Sequence, residues 1–146
     1  METGKGKVKW IEAKHEIRMA YVRQVLSLKL VEKRLFYDVF TNSERYLVLT
    51  ILTIARSIFK SVIQDDYQAS VFIDGLPKNQ EMKVATELRH LQIRIRKVRG
   101  VRKDENDSLI RLVDALCGLV RLRAEGKKEV VFLLDQAEKR GVISRR

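Results

Sequence analysis

Short aromatic or β-branched runs alternate with stretches of helical periodicity along this chain, and that alternation restricts it to few architectures. Over about residues 10–30, Ile11, Ile17, Tyr21, Val25 and Leu28 recur at near-helical spacing. Leu35, Phe36, Tyr37, Val39 and Phe40 make residues 35–40 a strand. Thr41, Asn42 and Ser43 offer an N-cap, with Glu44 in the first turn, for a helix over 44–63. That helix is apolar on most sides, so it is expected to lie buried against a sheet. A strand over 68–73 breaks at Asp74, Gly75 and Pro77, and Pro77 suits the first turn of a helix over 78–90. Ile93 and Ile95 alternate with Arg94 and Arg96 in a half-buried strand over 91–98. Helices over 107–124 and 129–140 follow, stopped by Gly126 and Gly141. Strands alternating with helices predict an α/β layer fold with a largely parallel sheet.

The chain has 146 residues, one proline and no Pro- or Ser-rich linker, so a single domain over 1–146 is expected. Its 45% hydrophobic content is enough for one core. Cys117 is the one cysteine, which excludes an intrachain disulfide, and its apolar helical setting reads as a packed, inert thiol. The first residues carry no apolar signal region. The longest apolar run, 46–55, falls short of the roughly 18 residues a membrane span needs. A cytoplasmic location with no membrane partner is expected.

Thirty Lys and Arg against nineteen Asp and Glu give a net charge of +11 and favour a polyanionic partner, DNA or RNA. The densest positive stretch holds Arg89, His90, Arg94, Arg96, Lys97, Arg99, Arg102 and Lys103, with Lys9 near the start. Arginines on a strand and its following loop can track a phosphate backbone. Few aromatics interleave with these cations in the sequence, which argues against a stacking platform for single strands. Ordinary solvated faces would account for most of the cations one by one.

Three carboxylates are candidates for metal-assisted chemistry. Asp74 follows an apolar strand, and in open α/β sheets ligands bind outside the carboxyl ends of strands. A turn aspartate bonding its own backbone is the plain alternative. Asp107 and Asp114 are about two helical turns apart and share a face. Asp107 also reads as a helix N-cap, with Ser108 as a rival for that role, and Asp114 as a surface acid paired with Arg111. His15 and His90 stand alone without zinc-like spacing, and no Gly-rich phosphate loop is present.

Lys7-Val8-Lys9-Trp10, residues 71–75, Asp107-Ser108 and the run from Leu112 through Asp114 to Leu116 together resemble the family catalogued as domain of unknown function 3800. The similarity spans most of the chain, and its last part is moderately specific. The resemblance implies a ribonuclease H-like three-layer fold and a metal-dependent nuclease that cleaves phosphodiesters with Mg²⁺ or Mn²⁺. Asp74 matches the family's strand carboxylate, Asp107 and Ser108 its Asp-Ser pair, and Asp114 its helical aspartate. By this resemblance Asp74 and Asp114 hold metal and Asp107 assists. Arg111 stands where the family has glutamine, Val113 where it has alanine, and Lys7 where it has glutamate. The family opens with a strand bearing an Asp-Glu-Ser-type motif, and this chain begins after it. The domain is therefore expected to be N-terminally truncated, with an incomplete central sheet whose open edge invites pairing with itself or another chain.

Three readings follow: a metal-dependent nuclease or its degenerate remnant, a non-catalytic nucleic-acid-binding module, and a protein-interaction module built on the 44–63 helix and the sheet edge.

Overall fold

The computed structural model describes residues 15–40, 45–102, 105 and 107–145. They are α/β, with strands and helices divided between two compact units, one drawn from 1–37 and 106–145, the other from 38–105. The N-cap expected at Thr41, Asn42 and Ser43 lies outside the described residues.

The first unit contains α1 (His15–Leu26), β1 (Leu35–Tyr37), α4 (Ser108–Ala124), α5 (Lys128–Lys139) and β4 (Ile143–Arg145). β1 and β4 pair in parallel, Leu35 beside Ile143 and Tyr37 beside Arg145. Met19, Val22 and Leu26 of α1 pack with Ala115 and Leu119 of α4, Val130, Leu134 and Ala137 of α5, and Ile143 of β4. These positions recur three, four or seven apart on each helix, the stripe a core-facing helix presents. Cys117 is exposed, which corrects the packed thiol read from the sequence. It falls between Leu116 and the buried Gly118, where a helix turns from its core stripe to solvent. β4 is a strand that the periodicity does not announce, because three residues after Val142 are too short to alternate visibly.

The second unit contains α2 (Tyr46–Ser61), β2 (Ala69–Asp74), α3 (Lys78–His90) and β3 (Ile95–Val101). β2, α3 and β3 form a parallel crossover, the only short route between parallel neighbours. Val84, Ala85 and Leu88 of α3 cluster with Val71 and Val98, and Ile51 and Ala55 of α2, Leu76 and Ile93 complete the cluster. The expectation of a helix buried on most sides is corrected: α2 buries Ile51 and Ala55 but leaves Tyr46, Val48 and Phe59 exposed. β3 also begins four residues later than the alternation suggests. Leu91 and Gln92 finish α3 instead, with the Ile93 amide donating to the Leu88 carbonyl at 3.0 Å and the Gln92 amide to Arg89 at 2.9 Å.

Two glycines set the geometry where the crossover closes. Gly75 has φ of 70°, a conformation that glycine adopts without a Cβ penalty, and its amide donates to the Val101 carbonyl at 2.9 Å. At Gly100 an added Cβ would stand 1.9 Å from the Leu76 carbonyl oxygen. The Gly100 amide donates to Glu81 Oε1 at 2.9 Å, tying the first turn of α3 to β3. Among the described residues the strands form two parallel pairs, so every strand keeps one edge without a strand partner.

The close approach at Gly100 is to backbone, which has little room to give. Gly100→Ala is expected to lower stability by about 3 kcal/mol. Gln92 holds φ of 64°, so Gln92→Gly is expected to raise stability by about 0.5 kcal/mol. Urea denaturation of the two variants beside wild type checks both signs.

Candidate nucleic-acid interface

Of the cations singled out in the sequence, Arg94, Arg96, Lys97, Arg99 and Arg102 lie on β3 and its flanks. Arg94 precedes the strand, and its carbonyl accepts from the Ala69 amide at 2.8 Å. β2 and β3 run in register from Ser70 beside Lys97 through Phe72 beside Arg99 to Asp74 beside Val101. A register shift between Ala69 and Ser70 makes Ile95 and Lys97 the partners of adjacent residues, so Arg96 is the extra residue of a bulge. The simple alternation of isoleucines and arginines therefore breaks at Arg96, and Lys97 and Arg99 take the outer face. Arg94, Arg96, Lys97, Arg99 and Arg102 are all exposed. Lys9 and Lys103 lie outside the described residues.

The outer face also carries an aromatic ring. Val71 is buried, and Ser70, Phe72 and Asp74 are exposed on the opposite side, as the strand pleat requires. Lys97 Nζ lies 5.3 Å from the Phe72 ring centroid and the Arg99 guanidinium carbon 5.8 Å from it. Both are within cation–π range. Few aromatics interleave with the cations along the sequence, yet strand pairing sets this one among them. The ring comes from the neighbouring strand, 25 and 27 residues before its partners, so no local pattern could reveal it. Arg99 also pairs with Glu105, whose Oε1 accepts from the Arg102 amide at 3.2 Å. At the carboxyl end the face closes, since Val101 is buried.

The three candidate carboxylates have different fates. Asp74 is the last residue of β2, is exposed, and its side chain makes no hydrogen bond or ion pair among the described residues. Asp107 caps α4, accepting from the Ile110 amide at 2.9 Å, so Asp107 and not Ser108 starts that helix. Asp114 is exposed on α4, in the first unit, whereas Asp74 belongs to the second. A divalent metal of the kind the family resemblance implies needs several carboxylates around it. Among the described residues no three His, Cys, Asp or Glu side chains gather to hold one.

A separate polar cluster in the first unit escaped the sequence reading. Arg123 on α4 donates to both oxygens of Glu138 on α5, at 2.8 and 3.2 Å, and pairs with Asp135 at 3.1 Å. It also reaches the Tyr37 hydroxyl on β1 at 3.1 Å, while that hydroxyl donates to Glu138. The hydrogen bond from Arg123 holds the Glu138 carboxyl below its ordinary value, and burial pushes the Tyr37 hydroxyl above its own. The groups satisfy one another across three elements, as a structural clamp does.

No family model, curated protein or solved structure matches this chain. No helix among the described residues is long and apolar enough to cross a membrane.

The clamp makes stability depend on pH at both ends. A lowered Glu138 contributes stability that is present above 4.5 and is lost as pH falls through its folded value. A raised Tyr37 contributes stability that is present below 10.0 and is lost as pH rises through its folded value. Urea midpoints across pH should show Tyr37→Phe flattening the alkaline limb and Glu138→Gln flattening the acid limb.

Proposed function

We propose that this chain binds nucleic acid through the basic surface along β3. The observation that carries the reading is the exposure of Arg94, Arg96, Lys97, Arg99 and Arg102 together on one strand and its flanks, in a chain of net charge +11. Guanidinium groups suit phosphate because their planar forks match its oxygens. Glu105 engages the guanidinium groups of Arg99 and Arg102, and phosphates would compete for the same donors.

Cleavage is a second reading, favoured by the bare carboxylate of Asp74 at the carboxyl end of β2, where α/β folds place ligands. The family resemblance supplies its frame: a ribonuclease H-like domain that hydrolyses phosphodiesters with Mg²⁺ or Mn²⁺. Parallel strands with flanking helices are compatible with that frame. No hydrolytic step is assigned to Asp74, Asp107 and Asp114, since among the described residues no three such side chains gather around any of them.

Fluorescence anisotropy with labelled DNA and RNA across salt concentrations tests the binding reading. Affinity should fall linearly on logarithmic axes, and Arg94→Gln with Arg96→Gln should reduce the slope by roughly one per cation removed. Asp74→Asn removes a negative charge beside the basic face and should tighten binding. A salt-insensitive oligomer with no nucleic-acid affinity would point to protein interaction through a strand edge instead. Cutting that needs Mg²⁺ or Mn²⁺, stops with EDTA and disappears in Asp74→Asn would establish the nuclease reading.

A further inference from the structure

We propose that the open face of β2 and β3 is a stacking platform for single-stranded nucleic acid, with a base on Phe72 and adjoining backbone phosphates on Lys97 and Arg99. This inference rests on the nucleic-acid reading above and specifies the strandedness of the ligand.

The ring is placed for the task by the backbone. Phe72 lies in the middle of β2, between Val71 and Ile73, which turn toward the core. The pleat therefore sends Phe72 outward, and it is 43% exposed in the whole chain. A large aromatic side chain left this open on a sheet face forgoes the burial that usually recruits it. The register sets Arg99 directly beside it and Lys97 beside Ser70, so the ring lies among cations and a hydroxyl.

Charge selects the partner. A protein-docking patch has an apolar centre with charged residues at its rim. Here the aromatic centre is itself flanked by two cations within 6 Å, which suits a ligand that is flat and apolar at one point and anionic on either side. A nucleotide is such a ligand. A duplex keeps its base faces stacked inside and cannot offer one to the ring, whereas a single strand can. A base entering the platform displaces a cation from the ring face. A cation–π contact at an exposed site is weaker than a base–aromatic stack, and the displaced cation gains a phosphate. Asp74 on the same face sets a limit to the track, since its carboxylate repels phosphate at the carboxyl end of β2.

The test uses the full chain with labelled single-stranded and duplex oligonucleotides, the single strand being about ten nucleotides long. Phe72→Leu should weaken single-strand binding about tenfold while leaving duplex binding and the salt slope unchanged. Lys97→Gln should reduce the single-strand slope by about 0.7. Phe72→Trp should keep single-strand affinity, and its indole emission should be quenched by the single strand beyond any change in wild type, which has only Trp10. Unquenched emission in Phe72→Trp, or equal affinities of Phe72→Leu and wild type for the single strand, would overturn the platform. The Trp variant decides the matter if the Leu variant fails to fold. Salt-sensitive binding that ignores every Phe72 change overturns the platform alone. No nucleic-acid binding by wild type overturns both the platform and the function it rests on, and binding of an acidic protein in its place would do the same.

Discussion

The backbone contact between Gly100 and Leu76 is the constraint on which the second unit depends. The turn after β2 must pass over β3 with no room for a Cβ, and it does so where Gly75 reverses the chain and donates to Val101. Glu81, one turn into α3, takes the Gly100 amide and so joins the helix start to the same point. These three ties fix the register of β2 against β3. A one-residue slip would turn every side chain of one strand to the other face. Phe72 would then be lost from the outer surface, and Val71 with it from the core. The basic aromatic face is therefore a consequence of the tight closure at the far end of the strands.

Cations serve opposite ends in the two units. Arg123 is consumed internally, locked by Glu138, Asp135 and the Tyr37 hydroxyl, and it holds β1, α4 and α5 together. Its worth comes from being half-buried, where a bidentate pair outweighs the solvation it gives up. Around β3 the arginines and lysine are solvated, and isolated surface charges add little to stability. Their accumulation costs mutual repulsion, which an anionic partner relieves. That contrast, and not the charge total alone, directs attention to β3.

Much of this architecture is legible in the sequence, for reasons that differ by element. α3, α4 and α5 fall within a residue or so of the periodic reading, because an apolar stripe interrupted by Pro77, Gly126 and Gly141 leaves little choice of boundary. β3 is displaced, since alternating Ile93, Arg94, Ile95 and Arg96 looks the same whether the first residues cap a helix or begin a strand. Tertiary packing of Ile93, 2% exposed, decides the matter. Asp107 was readable as a cap from its place before an apolar helix, while the bare carboxylate of Asp74 was not, because a turn aspartate normally bonds its own loop. The Phe72 face and the Arg123 clamp were invisible. Each joins residues brought together only by strand pairing or by helix packing, and no spacing rule reaches across them.

Direct contact between nucleic acid and the outer face of β2 and β3 is the central proposal. Amide and side-chain chemical-shift mapping of isotope-labelled protein, titrated with a single-stranded oligonucleotide, tests that most directly. Shifts concentrated on Ser70, Phe72, Lys97 and Arg99, with the aromatic resonances of Phe72 moving upfield under a stacked base, are the predicted result. Shifts confined to residues away from this face, or none at any concentration, would contradict it.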